Sequence, residues 1–363
     1  MNEAGMTTKT ASEPERFDQR RIVFARAAAG ELGPVIQERR TEPSLDPLNR
    51  TLLGTSSPNV LTWHLIRAVD GPVNHVQVPV EDPKAMAEKI KGLARFFGAD
   101  LVGITELDQA YVYSHVGVKH DPSVQKPGEE IHLSHKYAVV VGIEMDHEKM
   151  KASPSFIDSA EVGLTYADVA KLVCHLAAYI RELGYPARAH HFRQEEVLQV
   201  PLAIKAGLGE LGRNGYMLNE LYGPRVRLGT VTTDLPLAVD RLVNVGVEEF
   251  CAICKKCADN CPSRSIPSGG KEIVRGVEKW AINPDTCLRY WLSKPEQHVS
   301  CSLCIAVCPW NKPVSWYHRM GVWSARRSGL ARRALLWLDD VMYGRRPRYR
   351  VEWLDYVSER EAE

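Results

Sequence analysis

The chain has 363 residues, 44% hydrophobic and 25% charged, so it can bury a sizeable core in roughly two domains and is neither disordered nor collagen-like in composition. Its 46 Lys and Arg nearly cancel 45 Asp and Glu, which leaves no global positive field for a phosphate backbone and argues against a nucleic acid partner. No apolar run approaches the roughly 20 residues that span a bilayer, so nothing reads as an integral membrane protein.

The first 19 residues are polar and poor in core formers, which predicts a disordered tail over 1–19. Arg20-Arg21 before Ile22, Val23 and Phe24 has the look of an export signal, but Arg26 interrupts the apolar stretch and Glu31 soon follows. From 24 to about 80, short apolar runs mixed with Pro, Gly and polar residues carry no motif and are expected to wrap a core. Apolar residues at helical spacing predict a helix over 84–97, and LVGITEL (101–107) and YAVVVGIEM (137–145) read as buried strands, an alternating α/β pattern. After Ser159 the stripe Val169, Leu172, Val173, Leu176, Ile180 and Leu183 predicts a long amphipathic helix ended by Gly184, with Tyr166 near its start. A second helix is expected over about 195–205, closed by the glycine-rich AGLGELGRNG; RVRLGTVTTDLPL then reads as a strand leaving a loop. The Trp- and Arg-rich end, 310–363, carries a helix near 331–342.

Eight of the nine cysteines crowd between Cys251 and Cys308. That is too local for a disulfide scaffold and fits metal in a reducing compartment. Cys251, Cys254, Cys257 and Cys261-Pro262 have the bacterial ferredoxin spacing, in which the displaced fourth thiolate serves a second 4Fe-4S cluster. The second motif is Cys301-x2-Cys304-x3-Cys308-Pro309, with His298 standing where a first cysteine would be. Cys287 is the remaining cysteine nearby, which assigns Cys251, Cys254, Cys257 and Cys308 to one cluster and Cys261, Cys287, Cys301 and Cys304 to the other. His298 is the alternative ligand, and a zinc ribbon the alternative to the whole, although a zinc site has paired Cys-x2-Cys spacing. Cys174 lies on the apolar stripe of its helix and reads as core. Such clusters relay single electrons, so the remaining residues are expected to hold the acceptor.

Gly207-Leu208-Gly209-x-x-Gly212 matches the dinucleotide fingerprint, with Asp234 at a suitable distance. The context is reversed: a dinucleotide loop follows a strand and opens a helix, whereas these glycines follow helical sequence. A helix C-cap and turn, or a loop that lets backbone approach another large cofactor, are the other readings.

With these residues in view, the sequence resembles the reductive dehalogenases, cobalamin- and iron–sulfur-dependent enzymes that remove halogen from organic substrates. ITELDQAYVYSH (104–115), YAVVVGIEMD (137–146), IKAGLGELGRNG, YGPRVRLGTVTTDLPL (222–237), both cysteine motifs with Cys287, CPWNKP and WLDDVMYGRRP (337–347) carry the likeness, from about residue 20 to 347. The resemblance implies an α/β (α+β) fold: a nitroreductase-like core over 20–245 holding base-off cobalamin, an inserted ferredoxin-like segment with two 4Fe-4S clusters over 246–315, and a C-terminal extension, 316–363, packing on the core. The chain has no D-x-H-x-x-G motif, as expected of cobalt not ligated by a protein histidine. Gly207, Leu208, Gly209, Gly215 and Arg225 are implied as cobalamin contacts. Tyr166 matches the family's proton-donating tyrosine and Arg227 the basic residue beside it. An ordinary phenol is a weak acid near neutrality, and an adjacent guanidinium favours its phenolate. Without the resemblance, a surface tyrosine and a solvated strand arginine would be the plain readings.

The chain departs from the family at His190-His191-Phe192-Arg193-Gln194-Glu195-Glu196, where many members carry a small polar G-N-D-T-like stretch. This segment is expected to border the pocket; the substrate is expected to be an organohalide, haloaromatic, and the departure here points to an unusual or even non-halogenated one. The leader of respiratory members and the fused reductase region of self-sufficient members are absent from this sequence, which implies a cytoplasmic enzyme fed by an external ferredoxin or flavodoxin. The related epoxyqueuosine reductases use an aspartate just before the glycine loop, where this chain offers Arg193 or Gln194, with Glu195 the nearest acid. A non-catalytic electron carrier or cobalamin-handling protein is the reading from another class.

Overall fold

The structure is a computed structural model that describes residues 14–41, 55–57, 62–117, 126–192, 194–293 and 300–346. Its strands are β1 (Leu101–Glu106), β2 (Tyr137–Glu144), β3 (Ala187–His190), β4 (Glu210–Leu211), β5 (Met217–Leu218), β6 (Val226–Thr233), β7 (Glu272–Val274) and β8 (Val277–Lys279). The helices begin with α1 (Val23–Ala28), α2 (Pro34–Thr41), α3 (Pro83–Phe96), α4 (His147–Lys151), α5 (Phe156–Glu182) and α6 (Gln199–Lys205). They continue through the cysteine segment and beyond it with α7 (Val247–Cys254), α8 (Lys256–Asp259), α9 (Pro284–Trp291), α10 (Leu303–Ala306), α11 (Trp316–Arg327) and α12 (Gly329–Tyr343).

The central sheet has the order β1-β2-β6-β3, and every pair in it is antiparallel. Helix and strand alternate along the chain without building a parallel sheet, so the architecture is mixed α and β with an antiparallel centre. Both faces of the sheet are covered, which is why β2 reads as a continuous apolar run. Val139 and Val141 point to one face, packing with Ile90, Ile104, Leu172, Leu176, Ile180 and Val231, while Ala138 and Val140 meet Val112, Ile131, Val197, Leu202 and Leu208 on the other.

Helix α5 starts earlier than its apolar stripe suggests, because Ser155 and Asp158 form a capping box that satisfies two free N–H groups. Helix α6 starts later than expected: Val197 bridges to Val112 and the Leu198 N–H donates to the Tyr111 carbonyl, which holds 195–198 out of the helix. The N-terminal expectation needs correction from residue 14 onward. There Arg16 donates to the carbonyls of Tyr113 and Ile131, and Gln19, 2% exposed, donates to the Glu195 carbonyl, so long-range bonds order a polar stretch; residues 1–13 lie outside the described residues.

The C-terminal helices pack on a cluster that joins Val322, Ala325, Leu335 and Leu336 to Phe250, Cys251, Trp310, Leu218 and Val245. A buried charge network fastens them. Lys256 pairs with Asp339 and, at 2.8 Å, with Asp340, while Lys312 reaches Asp339 at 2.6 Å. Removing the central anion leaves Lys312 without its carboxylate and Lys256 with Asp340 alone, so Asp339→Leu is expected to destabilise the chain by about 3 kcal/mol, seen as a lowered unfolding midpoint. An unchanged midpoint would mean that the network is not compact in solution.

Candidate active site

Tyr166 lies in the third turn of α5, and Arg227 is the second residue of β6, against which α5 packs. The Arg227 guanidinium carbon stands 4.9 Å from the Tyr166 ring centroid, and Phe192 approaches the same ring at 4.7 Å, tilted by 37°. Arg227 is 9% exposed, and its Nε has no hydrogen-bond partner among the described residues. A buried guanidinium held chiefly against an aromatic ring is costly unless another group shares the space. Phe192 lies in a turn in which the Gln194 N–H donates to the His191 carbonyl. Gln194 is 1% exposed, and neither polar atom of its side chain has a partner among the described residues. Arg193 lies outside the described residues.

Tyr216 was not singled out in the sequence. It packs with Met145, Met150 and Ile305 beside Cys304. Burial pushes its hydroxyl well above the ordinary phenol range; Cys304 and Tyr166 raise it further and Arg227 opposes them. Tyr216 therefore stands within electrostatic reach of both the cysteines and the Tyr166–Arg227 pair. The available signal was its position directly after the glycine loop.

The loop itself is built by contact with its own chain. Gly207 has a positive φ of 74° where α6 ends, and a side chain there would meet the Arg241 carbonyl. Gly209 is buried against Leu218, Leu208 belongs to the core, and Gly215 turns at φ 77° against Ile282. Helix α6 precedes the glycines and β4 follows, the reverse of a dinucleotide loop. The Arg213 side chain ties this loop to the cysteine segment by donating to the carbonyls of Cys251, Pro267 and Gly269. Arg225 has no exposed surface: it pairs with Glu144 and donates to the carbonyls of Met145 and Lys312.

The cysteines fall into two groups. Burial raises Cys308, and its thiol is next influenced by Cys251, Cys254 and Cys257. Burial likewise raises Cys304, followed by Cys257, Cys301, Cys287 and Cys261. Cys254, Cys257 and Cys301 are pushed up to about 12, chiefly by burial. Cys257 influences both Cys308 and Cys304 and links the two neighbourhoods. Cys251, Cys254, Cys257 and Cys308 line one pocket with Phe250 and Trp310. Among the described residues no three His, Cys, Asp or Glu side chains converge as ligands of one metal ion would. His298 lies outside the described residues. Cys174 is buried in the core of α5.

This arrangement is that of an iron–sulfur protein: residues 250–312 match the 4Fe-4S dicluster domain family. The rest of the chain narrows it further. A tetrachloroethene reductive dehalogenase of Desulfitobacterium hafniense is 33% identical over 305 residues, covering 72% of this chain and 54% of that protein. The solved structure of a catabolic reductive dehalogenase, NpRdhA, in complex with 3-bromo-4-hydroxybenzoic acid superposes with a TM-score of 0.84 at 30% identity, covering 94% of this chain and 48% of that one. An epoxyqueuosine reductase of Lactococcus garvieae is 29% identical over 131 residues, a third of each chain. The chain belongs to the reductive dehalogenase family, a family of oxidoreductases, and spans about half the length of the curated relatives it matches. Among the described residues no helix is long and apolar enough to cross a membrane.

Proposed function

We propose that this chain is a reductive dehalogenase that replaces the halogen of a haloaromatic substrate by hydrogen, with base-off cobalamin in a nitroreductase-like core and two 4Fe-4S clusters on the eight cysteines. The observation that carries the reading is the buried Arg227 guanidinium held against Tyr166, within electrostatic reach of the second cysteine set through Tyr216. The donor set fits both cofactors. Four thiols line one pocket, as a cubane requires, and the buried side-chain amide of Asn311, without a hydrogen-bond partner among the described residues, suits the amide fringe of a corrin.

Cobalamin held there would supply the reducing electrons for cleavage of the carbon–halogen bond. Gly207, Leu208, Gly209 and Gly215 would shape the wall of its site, whereas the Arg225 side chain is engaged by Glu144 and the carbonyls of Met145 and Lys312. Tyr166 gives its phenolic proton to the carbon that loses halide, and Arg227 stabilises the phenolate left behind. Phe192 orients the Tyr166 ring and excludes water on that side. In this reading 20–245 is the catalytic core and 246–315 the electron-relay segment; the enzyme is cytoplasmic and takes electrons from a ferredoxin or flavodoxin, with no nucleic acid involved. A cobalamin-dependent reduction of a non-halogenated substrate is the second reading, favoured by Phe192 and Gln194 where dehalogenases carry a small polar stretch.

Gln194 supports an aromatic substrate with a hydroxyl or carboxylate, because an unpartnered buried amide gains most from a ligand that completes its hydrogen bonds. Gln194→Leu is expected to slow bromide release from a bromophenol about ten-fold or more, while release from a bromoalkene stays within about two-fold. Equal losses on both substrates would remove the substrate assignment. Absence of halide release by the parent protein, loaded with iron, sulfide and cobalamin, would overturn the function itself.

A further inference from the structure

Helices α11 and α12 are apolar on two sides. Their inner residues Val322, Ala325, Leu335 and Leu336 pack against Phe250, Cys251 and Trp310. Their outer residues include Trp316, 72% exposed, with Met320 and Trp323 each at 58%, then Leu330 at 80%, Trp337 at 65% and Val341 at 63%. On each helix these recur at helical spacing and form one outward stripe. Exposed apolar faces of this kind mark interaction surfaces.

Arginine is interleaved with the aromatic residues. Arg319, Arg326, Arg327 and Arg333 are exposed, whereas the acids of the pair, Asp339 and Asp340, are engaged with Lys256, Lys312 and Arg345. Arg319 and Arg333 have no ion-pair partner among the described residues. Trp, Tyr, Met and Arg are the residue types enriched where proteins dock. The groove beneath the helices and the space ringed by Cys251, Cys254, Cys257 and Cys308 share Phe250, Pro309 and Trp310 as walls. The patch thus lies over the first cysteine set, whereas Tyr216 and Tyr166 are associated with the second.

We propose that the outer face of α11 and α12 is the docking surface of a small acidic one-electron carrier protein. The inference rests on the proposed electron relay and names its point of entry. Its charge selects an acidic partner, and its position over the first cysteine set selects a redox partner over other acidic proteins. Each carrier gives up one electron and one cluster takes it up. Two encounters supply the two electrons that, with a proton, turn a carbon–halogen bond into carbon–hydrogen and free halide. Such encounters bury less than about 1,200 Å² and depend on salt.

The test uses the full-length holoprotein and a flavodoxin as probe, with affinity measured at low and high salt and cluster bleaching followed after mixing with the reduced carrier. Arg319→Glu combined with Arg333→Glu is expected to weaken binding about ten-fold or more at low salt and to slow bleaching by flavodoxin, while bleaching by dithionite keeps the parent rate. Trp323→Ser with Trp337→Ser is expected to weaken binding without removing its salt dependence, and Lys84→Glu on α3 to bind as the parent does. Parental flavodoxin affinity in both patch variants overturns the proposal. So does a patch variant that changes only self-association, only binding to phosphatidylserine vesicles, or only the effect of truncation after Arg346. Neither readout involves an organohalide, so the result is independent of whether halide is released.

Discussion

Tyr166→Phe is expected to lower halide release by about 10²–10⁴-fold, the usual contribution of a positioned acid, while iron and cobalt contents stay at the parent level. The substitution removes one hydroxyl and keeps the ring. Its contacts with Phe192 at 4.7 Å and with the Arg227 guanidinium at 4.9 Å belong to the ring, so the packing around α5 has no reason to move. A loss of rate with unchanged cofactor content would therefore locate the effect in proton transfer. Arg227→Gln should lower the rate by a smaller factor, because water or a neighbouring dipole can partly stabilise the phenolate. A Tyr166→Phe rate within about three-fold of the parent would be too small for a general acid and would reduce Tyr166 to a wall of the pocket.

The second large effect is expected at Cys287. It lies on α9, whose first turn is set by the Asn283 side chain accepting the N–H groups of Asp285 and Thr286. Burial raises its thiol, with Cys261 adding to the shift. Cys287→Ser is expected to cut bound iron from about eight atoms per chain to about four, with loss of electron delivery and of turnover. Cys174→Ala should keep the full complement, since Cys174 packs in the core between α5 and Leu65. Full iron in Cys287→Ser would transfer the fourth ligand to another residue, with His298 the first candidate.

The cysteine segment was legible as a 4Fe-4S domain because ligand spacing is local; the division of its cysteines into two sets is the proposal that Cys287→Ser tests. Strands β1, β2 and β6 and helix α5 were legible because long apolar runs and stripes have little use other than burial in a core. Strand β3 was not: its sequence Ala187-Arg188-Ala189-His190 is half polar, yet all four residues are buried. Arg188 is compensated by Asp70 and by Glu196 at 2.9 Å, and His190 by the Thr232 hydroxyl at 2.9 Å; Asp70 and Thr232 are distant in sequence. Helix α11 escaped notice because its outward face is aromatic and its inner face modest, the inverse of the usual pattern. The role of Tyr216 depends on how the glycine loop meets the cysteine segment through Arg213 and Asn214, which no spacing rule encodes. The glycines matched a nucleotide fingerprint for unrelated reasons, a helix end and close approaches to Arg241 and Leu218.

The central claim is tested most directly by an anaerobic electron count on the holoprotein with a bromophenol. One bromide and one carbon–hydrogen bond per two electrons consumed is the predicted stoichiometry, with the count and the products lost together in Tyr166→Phe. Electrons consumed without bromide, or no consumption in a chain loaded with both clusters and cobalamin, would contradict it.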